Sequence, residues 1–285
     1  MREPVTPLPP LRDFIAAHGL GANKRLGQHF LLDLNLTRKI ARSAGDLSGQ
    51  QILEVGSGPG GLTRALLETD ADHIFASERD PRFAPVLRQT GAAFPDRLTV
   101  IEDDALSVNE PHLIGRQTGA QLIANLPYNV STPLLVKWLT ADPWPPWFLQ
   151  MTLMFQKEVA DRIVSAPGGK VYGRLSVLSQ WRCQVRALFN VPARAFTPPP
   201  KVDSAVVQFR PRAGGNQTAD FVEALQRITA SAFGQRRKML RTSLKSVLPE
   251  PDRMLEDLGI DPTWRAEQLP VAGFGAITEA LLQHG

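Results

Sequence analysis

The sequence predicts an α/β protein in which an open, largely parallel sheet is covered by helices on both faces and is followed by a small all-α C-terminal domain. Three observations carry that expectation. Short strand signals alternate with helical patterns between residues 51 and 154, the first of those strands runs into a glycine-rich turn, and beyond Gly214-Gly215-Asn216 the pattern becomes wholly helical. The 285 residues are enough for one large and one small domain. The boundary is expected near Arg212, with residues 1–211 as the larger domain and 212–285 as the smaller.

Taken in order, the first 20 residues read as a proline-rich leader and a short amphipathic helix with Leu11, Phe14 and Ile15 on one face. A helical pattern covers 36–44. Residues 51–55 form a buried strand, closed by Gly56-Ser57-Gly58-Pro59-Gly60-Gly61 and followed by a helix over 62–67. Strands recur at 73–76, 98–101, 122–124 and 148–154, with helices at 81–89 and 133–139 between them. Two later strands, 184–189 and 205–209, flank a corner at Pro198-Pro199-Pro200, and their short connection suggests an antiparallel pair at the sheet edge.

Composition narrows the class. With 43% hydrophobic and 21% charged residues the chain reads as folded and globular. One cysteine, Cys183, excludes an internal disulfide and a cysteine-rich zinc site, and reads as a small core residue. No run is long and apolar enough for a membrane span and the start has no secretory core, so a cytoplasmic location is expected. The net charge of +4 is unevenly spread: residues 170–248 hold 14 Lys and Arg against Asp203, Asp220 and Glu223. Such segregation suits a polyanion, because each phosphate neutralised releases counterions, although solvated basic helices give the same count.

A glycine turn after the first strand lets backbone amides approach a ligand closely. By itself it fits a dinucleotide pyrophosphate or an empty tight turn equally well. Glu78, at the end of the next strand, adds a carboxylate that can accept from both hydroxyls of a ribose, and Asp104 follows the third strand. All three fall beyond the carboxyl ends of the strands, where open sheets bind ligands; Gly56, Glu78 and Asp104 would hold an amino-acid backbone, a ribose and an adenine.

After the fourth strand comes Asn125-Leu126-Pro127-Tyr128. An exocyclic adenine amine is a poor nucleophile because its lone pair is delocalised into the ring. The amide oxygen of Asn125 and the carbonyl of Leu126 or Pro127 can accept its two hydrogens and favour a geometry that frees the lone pair. Pro127 stiffens the loop, and Tyr128 offers a face for the base to stack on. A dinucleotide dehydrogenase has no use for this loop.

These motifs, together with Lys24-Arg25-Leu26-Gly27-Gln28-His29-Phe30-Leu31, Tyr172-Gly173-Arg174 and Ala195-Phe196-Thr197-Pro198-Pro199-Pro200-Lys201, resemble the ribosomal RNA adenine N6-dimethyltransferase family in order over residues 20–275 or so. The resemblance implies a Rossmann-like class I fold with a mostly parallel seven-stranded sheet and S-adenosylmethionine as cofactor. It implies as substrate two adjacent adenosines in the 3′-terminal hairpin of 16S rRNA within an immature small (30S) subunit, with the protein acting as a monomer without metal or membrane. It carries cofactor contacts onto His29, Leu31, Gly56, Glu78, Asp104 and Asn125, with Gly58 in the same turn, and target-base contacts onto Asn125, Leu126, Pro127 and Tyr128. Phe196 stands as either a second aromatic wall or core packing. Three residues depart from the family pattern: Leu26 for phenylalanine, His29 for asparagine and Asp103 for glycine. A related large-subunit dimethylase and a ribosome-assembly checkpoint acting mainly by binding are the competing readings.

Finally, the segment from Gln235 to Leu248 reads as a helix carrying Arg236, Arg237, Lys238, Arg241 and Lys245. Positions 237, 241 and 245 would line one stripe along an RNA backbone, with Met239, Leu240, Leu244 and Val247 on the other side.

Overall fold

The structure is a computed structural model that describes residues 2–23, 27–114 and 119–284. Lys24, Arg25 and Leu26 of the N-terminal motif lie outside the described residues. In chain order the elements begin with α1 (Leu11–Ala17), β1 (Phe30–Leu31), α2 (Leu34–Ser43), β2 (Gln51–Val55), α3 (Gly61–Leu67), β3 (His73–Ser77) and α4 (Ala84–Ala92). Next come β4 (Leu98–Ile101), α5 (Glu110–Leu113), β5 (Ala120–Asn125), α6 (Tyr128–Leu139), β6 (Phe148–Gln156), α7 (Lys157–Val164) and α8 (Arg174–Arg182). The chain finishes with β7 (Cys183–Val191), β8 (Phe196–Thr197), β9 (Ser204–Pro211), α9 (Ala219–Gly234), α10 (Leu240–Ser243), α11 (Pro251–Asp257) and α12 (Val271–His284). By contacts, the chain divides into a unit of Met1–Lys137, Trp147–Ala160 and Ala187–Phe209 and a unit of Trp138–Pro146, Asp161–Arg186 and Arg210–Gly285.

Seven strands form one sheet in the order β4-β3-β2-β5-β6-β9-β7. The pairs from β4 through β6 are parallel, and β9 runs antiparallel to β6. Strands such as β5 and β6 are buried almost throughout, as a sheet covered on both faces requires. The chain order reverses between β2 and β5, so the carboxyl end of β2 opens at a topological switch point. The two strands expected side by side at the edge are neighbours there, with β7 outermost.

Two local features differ from the sequence reading. Helix α6 begins at Tyr128 rather than near 133, because Pro133 sits inside the helix and masked its first turn. A further two-stranded sheet pairs β1 with β8, Phe30 opposite Thr197 and Leu31 opposite Phe196. Neither strand is long enough to leave a periodic signal.

In the second unit α9 packs on α12, and α8 packs on both. Trp181 of α8 stacks on Phe221 with 4.9 Å between ring centroids. A Cβ on Gly275 would come within 2.2 Å of the Trp181 ring, so only glycine admits the indole there. Fully buried Arg182 donates from Nε to the Leu139 carbonyl at 2.7 Å and from its two terminal nitrogens to the carbonyls of Gln217 and Ala141. Burial pushes its pKa down to about 10. This unit therefore gathers segments from before residue 211, a grouping that side-chain packing creates and that linear position does not reveal.

The continuous basic helix expected from Gln235 is not formed. Residues 235–237 turn, and of the segment up to Leu248 only Leu240–Ser243 is helical. The backbone N–H of Leu240 is spent on the Trp264 carbonyl at 2.7 Å and that of Arg241 on the Pro262 carbonyl at 3.1 Å, in place of carbonyls four residues earlier. Met239, which bridges to Arg265, is extended at φ −67° and ψ 154°.

Candidate active site

A cavity of about 1090 Å³, counting its open mouth, lies beyond the carboxyl ends of β2, β3, β4 and β5. The glycine turn forms its floor. Gly56, Gly58 and Gly60 have φ of 74°, 52° and 88°, a region that side chains with a Cβ disfavour. The turn is also pressed against its neighbours: a Cβ on Gly56 would stand 2.9 Å from Pro127 Cδ, and one on Gly61 only 2.2 Å from the Leu31 carbonyl oxygen. Glycine here lets the floor, the Asn-Leu-Pro-Tyr loop and β1 converge.

Glu78 follows β3 and is 9% exposed. Its Oε2 accepts from Gly58 N at 2.7 Å and its Oε1 from Asp80 N at 2.8 Å. A carboxylate has about four acceptor sites, so two stay available to a ligand's hydroxyls. Burial raises the pKa of Glu78 above the usual carboxylate range, against the opposing pull of the Asp80, Gly58 and Arg79 backbone N–H groups.

Two further acids on the cavity wall escaped the sequence reading. Glu54, next to last in β2, is 1% exposed, accepts from Thr63 Oγ1 at 2.6 Å, and is pushed up to about 8 by burial. An acid between Leu53 and Val55, inside the apolar run of a buried strand, was the signal that could have marked it. Asp80 is drawn down to about 2, chiefly by hydrogen bonds from Arg82, and accepts from Gln28 Nε2 at 3.0 Å, which anchors the N-terminal motif beside β3.

Asp104 receives Arg79 Nη1 on Oδ2 at 3.0 Å and Leu106 N on Oδ1 at 3.0 Å. Asp103 accepts from the Asp104 backbone N–H at 2.7 Å. That bond gives the departure from glycine a role: it fixes the turn that presents Asp104. A cavity walled by five carboxyl groups, with Asp104 already ordered by Arg79 and Leu106 N, suits a cationic ligand that carries hydrogen-bond donors.

Asn125 closes β5 and Tyr128 opens α6, so the loop between them is held by a strand end and a helix start. The Asn125 side-chain amide lines the cavity and bonds to no described residue. Leu126 is buried and lines the wall with Pro127. Tyr128 Oη lies 2.7 Å from Ser204 Oγ, and burial raises its pKa. Its ring sits 5.4 Å from that of His29, tilted by 31°. His29 Nδ1 is 2.7 Å from the Pro198 carbonyl, which can only accept, so the proton is on Nδ1. The histidine thus ties the N-terminal motif to the proline corner, a role its ring geometry supplies. Phe196 is 2% exposed and belongs to the core, not the cavity wall; its ring meets Tyr128 edge-on at 6.5 Å. Core packing is the reading that holds.

In the second unit Arg237, Lys238, Arg241 and Lys245 are exposed. Arg236 differs: it donates to Glu267 at 3.0 Å and to the carbonyls of Lys170 and Tyr172, each at 2.9 Å, and so braces its own unit.

The sequence profile of the family described as ribosomal RNA adenine dimethylase matches residues 19–283. A ribosomal RNA small subunit methyltransferase A from Azorhizobium caulinodans is 57% identical over 274 residues, covering 96% of this chain and 93% of its own. Among solved structures, a dimethyladenosine transferase from Plasmodium falciparum aligns with a TM-score of 0.76 at 25% identity, over 90% of this chain and 98% of that one. The 23S rRNA methyltransferase ErmE aligns with a TM-score of 0.68 at 25% identity, over 89% of this chain and all of that one.

Proposed function

The chain belongs to the ribosomal RNA adenine dimethylase family, and from that premise we propose that it dimethylates two adjacent adenosines in the 3′-terminal hairpin of 16S rRNA on an immature small (30S) subunit. It is an S-adenosylmethionine-dependent rRNA adenine dimethyltransferase. The small-subunit target is supported by the name of the 57% identical relative.

The cofactor supplies a methyl group on a positively charged sulfur. We assign its binding to His29, Leu31, Gly56, Gly58, Glu78, Asp104 and Asn125, and add Glu54 as a buried acid facing the same cavity. Asn125 and the carbonyl of Leu126 or Pro127 accept the two hydrogens of the adenine amino group, and Tyr128 stacks on the base. The Tyr128 ring is steadied by Ser204 and His29, and backed by Phe196. Catalysis is then mainly positioning, with the proton leaving nitrogen after transfer.

Residues 1–211 are assigned to catalysis and 212–285 to RNA and ribosome binding, through Arg237, Lys238, Arg241 and Lys245. Arg236 leaves that set because its donors are engaged within its own unit. A cytoplasmic monomer working without metal completes the reading.

One observation carries it: the amide of Asn125, without a partner among the described residues, sits on the cavity wall beside Tyr128, at the loop whose Pro127 rests on Gly56. N6-dimethyladenosine should be absent from the 16S 3′ hairpin in a strain deleted for this gene and return on complementation. Unchanged modification in the deletion strain would refute the target, and modification lost from 23S rRNA instead would favour the large-subunit reading.

A further inference from the structure

The loop after β4 is fastened by a lysine that escaped the sequence reading. Residues 104–108 are wound on themselves: Ser107 N and Val108 N donate to the Asp104 carbonyl at 2.9 and 3.2 Å, and Leu106 N donates to Asp104 Oδ1 at 3.0 Å. Those bonds fix the shape of the segment and leave its place undetermined. Among the described residues, two cations reach it from outside. Arg79 pairs with Asp104 from a side chain that is 69% exposed, and so holds it weakly. Lys137 grips harder: its Nζ donates to the Ala105 carbonyl at 2.8 Å, to the Val108 carbonyl at 2.6 Å and to Glu110 Oε1 at 2.8 Å. The Lys137 and Glu110 side chains are only 28% and 6% exposed. Three acceptors match the three N–H groups of an ammonium.

Lys137 lies in the last turn of α6, the helix that Tyr128 opens. The rise from one to the other is about 14 Å. Leu134, one turn before the lysine, is buried and lines the cavity with Ala105 and Leu106, whereas Lys137 itself does not line it. One helix thus carries Tyr128 at its start and grips the loop of Asp104 near its end. An ion pair alone would need only Glu110; the carbonyls on either side of Leu106 and Ser107 locate the loop itself. We propose that Lys137 is a positioning residue for methyl transfer, which registers the loop of Asp104 against the helix of Tyr128 and so sets the separation between methyl donor and amino group. The inference rests on the assignment of Asp104 to the cofactor and of Tyr128 to the target base. A misplacement of about 1 Å costs on the order of 100-fold in rate, so a loop that drifts by half as much should cost on the order of tenfold.

Single-turnover transfer of labelled methyl groups to unmodified small subunits tests this, at saturating enzyme and S-adenosylmethionine and well below the melting temperature. Lys137→Met removes all three bonds and leaves Glu110 buried without its cation, so stability should fall along with the rate. The informative protein therefore combines Glu110→Met with Lys137→Met, which replaces the ion pair by apolar side chains of similar volume and should restore folding. Its transfer rate should stay about tenfold below wild type, while calorimetric affinity for S-adenosylmethionine stays within about threefold. A purely structural lysine would give back the rate together with the melting temperature. A rate within about twofold of wild type in the refolded double variant overturns the proposal, as does a loss that appears in cofactor affinity alone. Wild-type protein that transfers no methyl group to small subunits would instead overturn the assigned target, and this inference with it.

Discussion

Replacing Gly56 by alanine tests whether the glycine turn and the loop from Asn125 to Tyr128, the proposed cofactor and target-base sites, are mechanically one. The backbone there has φ of 74°, and the new Cβ would lie 2.9 Å from Pro127 Cδ and 3.4 Å from Cγ. The left-handed conformation costs about 1–2 kcal/mol with a Cβ present. The contact with a rigid proline ring is about 0.5 Å inside the edge of ordinary packing, and such overpacking costs about 1–3 kcal/mol more unless the loop moves. Pro127 lies two residues after Asn125, so relief by movement displaces the amide oxygen proposed to receive the amino group. A misplacement of about 1 Å costs on the order of 100-fold in rate, so a shift of half that should cost on the order of tenfold.

Gly58→Ala is the matched control. It shares a positive φ of 52°, but its Cβ would meet only the Phe30 ring, at an ordinary 3.6 Å. Both variants should melt earlier than wild type. In single-turnover methyl transfer at saturating cofactor, Gly56→Ala should fall on the order of tenfold or more while Gly58→Ala stays within about threefold. Equal rates in the two variants would refute the coupling between floor and loop.

Glu78→Ala should weaken S-adenosylmethionine binding by about tenfold or more in calorimetry, since two charge-assisted hydrogen bonds are lost, and unchanged affinity would remove the ribose contact. Glu54 titrates at about 8 in the folded protein against an ordinary 4.5, so the folded state holds the proton more tightly. Its contribution to stability is therefore full below about pH 4.5 and lost as the pH rises through about 8. Glu54→Gln should flatten the fall in melting temperature of the ligand-free protein across that window; parallel curves would argue against a buried, protonated Glu54. Arg182→Met strips donors from the Leu139, Ala141 and Gln217 carbonyls and should destabilise by about 3–5 kcal/mol in thermal unfolding, a melting point within a degree of wild type being the contrary result. Replacing Arg237 and Arg241 together by alanine should lower affinity for the small subunit and reduce the slope of log affinity against log salt by about 2, whereas an unchanged slope would move the RNA surface elsewhere.

Much of the first unit was legible because periodicity and turn chemistry are local. The run at Gly56–Gly61 needs positive φ whatever surrounds it, and β5 and β6 are apolar because both faces are covered. Reading failed where a tertiary partner outbid the local pattern. Residues 235–248 have helical spacing, yet Leu240 and Arg241 give their N–H groups to carbonyls more than 20 residues away. Arg236 looked like its basic neighbours, but Glu267 and two backbone carbonyls claim it. Phe196 sits in a motif that suggests a site, and its near-complete burial follows from the β1–β8 pair, which two-residue strands cannot announce. Glu54 was passed over for the opposite reason: a strand read as uniformly buried hid the one position where an acid is costly and therefore informative.

The central claim is that Asn125 hands the adenine amino group to a methyl donor held over the glycine turn. Transfer of labelled methyl groups to unmodified small subunits by Asn125→Ala, measured beside calorimetric binding of S-adenosylmethionine, tests it most directly. The account predicts transfer reduced on the order of 100-fold or more with cofactor affinity within about fivefold of wild type. Near-normal turnover in that variant would contradict it.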